Sequence, residues 1–365
     1  MKKLNLILLI CLILPLSISA GNKDVVVKPN SDAIRFVGRT QTLSDGSVRY
    51  DWIGTYWQTK FSGGSVSIRI SELGKSYHNL FIDGKWVRKI ELTGKDSLIV
   101  LASGLSHEFH QLKLQKCTEG EYGCTTIHQL LLAPGGKLKP VSKKSRKIEI
   151  YGDSYTCGYG SEGNDPSAHF KLETENCNKA YGCILARYFD ADYTLVAHSG
   201  RGMVRNYGDS VQLSKNTLLT RMTHLYDDFD PSIICKLGSD KPDLILINLG
   251  TNDFSTKPVP TDDEFIDGYI KMIHQLRTEY NNVPILCVIP HSGGLTVHCL
   301  IKLKTIMKAD KYLFVNNPME DIVGRKSDMG ADSHPNYSGQ KKIAMTLIPR
   351  ISTIMNWPLE NKVVK

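Results

Sequence analysis

The hydrophobic period of this chain changes once, near residues 137–147, and that change constrains the fold more than any other feature. Before it, from about residue 33 to 133, apolar residues come in short alternating runs. "SVSIRI" sets Val66, Ile68 and Ile70 against serines and Arg69, the pattern of a half-buried strand. "LFIDGKWV" places Asp83-Gly84 between two β-rich runs, a hairpin signal. No helical period crosses this region, so it reads as an all-β sandwich. The stretch "KLKPVSKKSRK", 137–147, then reads as a basic linker. After it, strand-like runs at 148–151, 193–197, 244–249, 285–289 and 312–315 alternate with helical segments. Thr261 with Glu264 forms a capping box, and Phe265, Tyr269, Met272, Ile273 and Leu276 follow at helical spacing. A last helix is expected from about Gly339, with Ile343, Ala344, Leu347, Ile348 and Ile351 on one side. Strands alternating with helices imply a parallel sheet covered on both faces, an α/β domain in three layers.

The N-terminus has a grammar of its own. Lys2 and Lys3 precede an apolar run over 4–16, and Ser17-Ile18-Ser19-Ala20 follows. This is the layout of a secretory signal peptide, 1–20, and the run is too short for a good membrane span. The expectation is a protein secreted or periplasmic, with no membrane association after cleavage. The domain reading is therefore signal peptide 1–20, β-sandwich 21–136, linker 137–147 and α/β domain 148–365.

Export permits disulfides, yet the eight cysteines left after Cys11 are too few for a disulfide scaffold. Cys117 and Cys124 flank "TEGEYG", read as a hairpin, and form the first candidate bridge, whereas Cys287 in "PILCVI" reads as a buried free thiol. No cysteine pair has C-x-x-C spacing and "SHEFH" is not a His-Glu-x-x-His zinc pattern, so neither metal nor other cofactor is expected. The net charge of +8 has no aromatic interleaving around its densest stretch, which argues against a nucleic-acid partner.

Ligands of open parallel sheets gather at the carboxyl ends of the strands. Four short stretches fall there or at the equivalent place: Gly152-Asp153-Ser154, "AHSGRG" at 197–202, "LGTND" at 249–253 and "GADSHPN" at 330–336. Their residue types suit acyl transfer. A serine hydroxyl needs an imidazole to take its proton, and the tetrahedral intermediate needs fixed N–H donors for its oxyanion.

In this order the four blocks resemble those of the SGNH (GDSL-type) hydrolases. The resemblance implies Ser154 as nucleophile, His334 as its base, and an oxyanion hole of the Ser154 amide, the Gly200 amide and the Asn252 side chain. Gly202 is the alternative donor if "SGRG" aligns two residues later. "VGRT", "KCTEG", "GDSYTCGYG" and "GRGMVRNYGD" further resemble family 2 of the carbohydrate esterases. That resemblance implies a jelly-roll β-sandwich joined to an SGNH domain, acting on acetyl groups of plant polysaccharides or sugars. One departure stands out. The SGNH pattern puts aspartate three residues before the histidine, where this chain has Ala331. Asp332 is the available acid and the expected third catalytic member, with a backbone carbonyl as the alternative holder of His334. Asp153 and Asp253 are read as loop-fixing, Arg201, Arg205 and Tyr207 as acceptor-side or scaffold residues, and His198, His291 and His298 without a role. The expected function is a secreted carbohydrate O-acetylesterase acting on acetylated polysaccharide or oligosaccharide, such as acetylated xylan or glucomannan. The alternatives are a non-catalytic glycan-binding protein, or an SGNH lipase or other ester hydrolase.

Overall fold

One strand, Val66–Ile82, organises the first domain, because its two halves lie in different layers. The first half pairs antiparallel with Gly123–Leu132 and Ser97–Ala102, and the second with His110–Lys116 and Lys85–Thr93. The computed structural model that shows this describes residues 23–238, 240–289, 294–316 and 323–365, so the expected signal peptide and His291 lie outside the described residues. Gly74 sits in the middle of the long strand with φ +96°, and a Cβ there would meet the Tyr122 carbonyl oxygen at 2.2 Å. Only glycine combines that backbone conformation with such a close approach. The result is an antiparallel sheet curled into a sandwich. Ile68 and Ile70 from one layer pack with Trp57, Phe61, Leu112 and Leu114 from the other. Each such side chain contributes about 1.5–3 kcal/mol relative to an exposed one.

The alternation read from "SVSIRI" is realised, since Val66, Ile68 and Ile70 are buried and Arg69 is exposed. Asp83 and Gly84 form the expected two-residue turn, both with positive φ. The "TEGEYG" expectation fails. The strands before and after it both pair with Val66–Ile82 and not with each other, and a short 3-10 turn, Gly120–Tyr122, lies between them. Cys117 and Cys124 are consequently unbridged, their thiols directed to the carbonyls of Tyr77 and Tyr50. Cys287 is a buried free thiol, pushed up to about 12 by its burial.

The second domain is a five-stranded parallel sheet. From one edge its strands are Ala191–Ala197, Arg146–Gly152, Leu244–Asn248, Ile285–Cys287 and Leu313–Val315. Ile148, Ile150, Leu244 and Leu246 pack on one face with residues of helices Tyr181–Tyr188 and Tyr337–Met355. Tyr151, Ile245 and Ile247 pack on the other with Phe265, Tyr269 and Met272 of Asp262–Tyr280 and Leu300 of Gly294–Ile306. Neighbouring residues thus bury on opposite faces, which explains why these strands read as continuous apolar runs. The Thr261–Glu264 capping box is formed in both directions. The last helix begins at Tyr337, two residues before the expected start, because Asn336 caps the amides of Ser338 and Gly339.

The basic stretch is anchored at both ends. Leu138–Lys139 pairs with the first domain, while Lys143 and Lys147 bind Asp240, and Lys144 binds Asp190, in the second. Deeper between the domains, Asp192 accepts both arms of the Arg35 guanidinium at 2.9 and 3.0 Å and the Tyr56 hydroxyl at 2.6 Å.

Candidate active site

Arg146–Gly152, second from the edge, has the next strand in sequence on one side and the following one on the other, so the crevice at its carboxyl end is the switch point where such sheets bind ligands. Ser154 stands there as the first residue of a one-turn helix, Ser154–Cys157, whose cap is Asp153 accepting from the Tyr155 amide at 3.1 Å. The Ser154 hydroxyl lies 2.9 Å from Nε2 of His334, a residue 180 positions away. Nδ1 of His334 lies 3.1 Å from the backbone carbonyl oxygen of Asp332. A carbonyl can only accept, so this contact puts the imidazole proton on Nδ1 and leaves Nε2 with a lone pair for the serine proton. Nucleophile, base and orienting group are therefore in line.

The third member is not the one expected. The Asp332 carboxylate faces away from the imidazole, accepting from the Tyr159 hydroxyl at 2.9 Å and the Phe170 amide at 2.9 Å, with His169 Nδ1 at 3.3 Å. Consecutive left-handed residues, Asp332 at φ +47° and Ser333 at φ +60°, turn the carbonyl toward the ring. Their amides are held by the carbonyls of Ala168 and Pro166, at 2.8 and 3.0 Å, which sustains a conformation L-residues rarely adopt. Asp332→Asn is accordingly expected to cost less than about tenfold in kcat, against the roughly 10⁴-fold measured where a carboxylate orients the histidine of a serine triad. A steady-state kcat falling a thousandfold would put the carboxylate back in the catalytic role.

The three residues expected as oxyanion donors lie just beyond the carboxyl ends of three adjacent strands, Ala191–Ala197, Arg146–Gly152 and Leu244–Asn248. The amides of Ser154 and Gly200 donate to no group among the described residues. Gly200 has φ +74°, the left-handed conformation that favours glycine. Gly202 is the poorer alternative, because its amide is already donated to the Asn206 side chain at 3.3 Å. Asn252, in the one-turn helix Thr251–Ser255, points its Nδ2 at the Arg201 carbonyl, 3.0 Å, and the Asp153 carboxyl, 3.3 Å. Asp253 takes the amides of Met203, Val204 and Arg205 at 2.8–3.0 Å and so shapes the loop after Gly200. Burial raises the carboxyls of Asp153 to about 7 and Asp253 to about 6.

Two further groups were not legible in the sequence. Tyr159 lies with its ring centroid 4.3 Å from that of His334 and stacks on Phe170 at 4.1 Å, with Tyr122 of the first domain beyond at 5.9 Å. Glu119, also from the first domain, binds Ser199 beside Gly200. Of the flanking residues, Arg205 is fully buried and donates to the carbonyls of Asp209 and Val211, a scaffold role, whereas Tyr207 is exposed. His198 is buried against Asp227 at 2.9 Å, and His298 is exposed beside Asp262. Burial alone would lower His198, but the charge and hydrogen bond of Asp227, with Glu121, raise it to about 10. Glu119, Glu121 and His198 each bring one potential ligand atom within 4.8 Å of the others. Both Glu119 oxygens are already taken by Ser199, and His198 Nδ1 by Asp227, so these donors serve the protein's own groups.

Comparison with known proteins places the chain by family and fold. Residues 36–141 match the model for the carbohydrate esterase 2 N-terminal domain, and residues 150–342 the model for the GDSL-like lipase/acylhydrolase family. The chain is 28% identical over 353 residues to an acetylxylan esterase / glucomannan deacetylase of Cellvibrio japonicus, covering 92% of this chain and 91% of that protein. It is 27% identical over 342 residues to the cellulase/esterase CelE of Acetivibrio thermocellus, covering 90% of this chain but spanning only 40% of that protein's length. Among solved structures, a family two carbohydrate esterase from Clostridium thermocellum in complex with cellohexaose superposes with a TM-score of 0.81 at 27% identity, covering 89% of this chain and 100% of that one.

Proposed function

The chain belongs to the GDSL-like lipase/acylhydrolase family, and from that premise we propose that it is a carbohydrate O-acetylesterase working through a serine acyl-enzyme. The observation that carries the reading is the Ser154–His334–Asp332 carbonyl relay at the switch point of the sheet. His334 Nε2 takes the proton of Ser154 as Oγ attacks the acetyl carbonyl carbon. The carbonyl electron pair moves onto oxygen, and that oxyanion is received by the amides of Ser154 and Gly200 and by Asn252. Collapse breaks the bond to the sugar oxygen, which leaves with the proton from His334. Water, deprotonated by the same imidazole, then attacks the acetyl-serine. Acetate is released and the proton returns to Ser154.

The substrate class rests on relatives of similar length and domain order, one of them an acetylxylan esterase / glucomannan deacetylase. Acetate release from acetylated xylan, acetylated glucomannan and simple sugar acetates tests it, with longer acyl esters as the contrast. A preference for long acyl chains would move the assignment to a lipase, and glycan binding without hydrolysis to a pure binder. The location follows from residues 1–20, read as a signal peptide. Terminal sequencing of the protein from an exporting host should find those residues removed, and an intact N-terminus would reject export by that route.

A further inference from the structure

The first domain does more than adjoin the catalytic one. Its segment Glu119-Gly120-Glu121 reaches to the loop that carries Gly200. Glu119 is fully buried, and its carboxylate receives both the Ser199 amide, at 2.6 Å, and the Ser199 hydroxyl. The Gly120 amide donates to Asp227 at 3.1 Å, and Asp227 in turn binds His198, the residue before Ser199. Glu121 lies 3.5 Å from the other ring nitrogen of His198. Asp51, from the same domain, takes the amides of Asp227, Asp228 and Phe229 at 2.7–2.9 Å. Residues 198 and 199 are thus fixed by side chains and backbone groups immediately before the peptide whose N–H belongs to Gly200.

That peptide has little else to hold it. The Gly200 amide has no partner among the described residues, and an added Cβ would meet nothing nearer than Tyr207 at 4.0 Å. The carbonyl of Gly200 is tied to the Tyr207 amide at 2.8 Å, so the peptide on its other side, which carries the donor N–H, is the one Ser199 must aim. An oxyanion donor helps only if it is already aimed. We propose that Glu119 is a positioning residue for the ester hydrolysis: by binding Ser199 through two hydrogen bonds it sets the direction of the Gly200 amide, so the oxyanion site is built by both domains. This rests on the esterase reading above. A buried carboxylate binding an amide and a hydroxyl together also explains why an acid stands there, since a neutral aliphatic residue would leave the Ser199 amide unpaired. Glu175 lies behind it, accepting from the Glu119 amide at 3.1 Å, and its own carboxyl is held well above the usual range by burial and by the charge of Glu119.

The test uses the full chain and a chromogenic acetate. Glu119→Ala should lower kcat by roughly 10–100-fold while KM stays within about threefold, because the donor acts on the transition state. Glu119→Gln should recover kcat to within about tenfold of the wild type. Its carbonyl oxygen accepts from the Ser199 amide, and its NH₂ group donates to a hydroxyl that now accepts. Ser199→Ala removes one of the two bonds, and combined with Glu119→Gln its loss should be less than the product of the single losses. That cycle decides the matter if Glu119→Ala does not fold. The proposal is overturned if Glu119→Ala keeps kcat within threefold of the wild type, if Gln is as poor as Ala, or if the cycle losses multiply. A wild type with no activity on any acetate would instead reject the esterase reading itself.

Discussion

Ser154→Ala should reduce kcat on a chromogenic acetate by about 10⁵–10⁶-fold, and His334→Ala by a similar factor. The double variant should be hardly slower than either single one. That non-additivity follows from the geometry: with Oγ 2.9 Å from Nε2, the hydroxyl is a nucleophile only while the imidazole takes its proton, so losing either group removes the same step. Some rate should survive, because the oxyanion donors remain and water can attack within the site. Both variants should keep their folded state. Ser154 caps no helix, since that role belongs to Asp153, and the His334 ring lies half-buried at the end of a loop. Rates from single-turnover and steady-state assays, with thermal midpoints alongside, separate loss of chemistry from loss of fold. A Ser154→Ala protein retaining a tenth of the wild-type rate would remove Ser154 from the mechanism.

What the sequence made legible was whatever is encoded within a few residues. The alternation of Val66, Ile68 and Ile70, the Asp83-Gly84 turn and the Thr261–Glu264 box all appear where local pattern puts them. Ser154 stood out because it follows a strand whose carboxyl end lies where parallel sheets gather ligands, whereas its pairing with His334, which follows no strand directly, came from the four-block resemblance. Asp332 shows where that reasoning stops. Its side chain and its carbonyl are one residue in the sequence, but the carbonyls of Pro166 and Ala168 select which of them faces the imidazole. Such a contact across some 165 positions leaves no periodic trace. Glu119 was hidden for the same reason, its partner Ser199 lying 80 positions away in another domain. "TEGEYG" looked like a hairpin because its turn chemistry is local. The pairing of both flanking strands with Val66–Ile82 overrode it.

Asn252→Ala should lower kcat by about 10²–10³-fold, or roughly 2.7–4 kcal/mol of transition-state stabilisation, with KM nearly unchanged. The resting enzyme does not leave this amide idle. Its two N–H groups reach the Arg201 carbonyl at 3.0 Å and the Asp153 carboxyl at 3.3 Å. The first bond fixes the side chain against the Gly200 loop. The second is long, and its acceptor is a carboxyl that burial raises to about 7, so at neutral pH much of it carries no charge. A full negative charge developing on the substrate oxygen is the stronger acceptor and should draw that N–H from Asp153 as the tetrahedral intermediate forms. Donation then grows along the reaction coordinate, which is why the loss should fall on kcat and not on KM. Asn252→Asp sharpens the case, because it keeps the shape and replaces the donor with a charge facing the oxyanion. It should be at least as slow as the alanine variant at pH 7. A loss below threefold in Asn252→Ala would take the side chain out of the oxyanion site, leaving the two backbone amides to hold the charge alone.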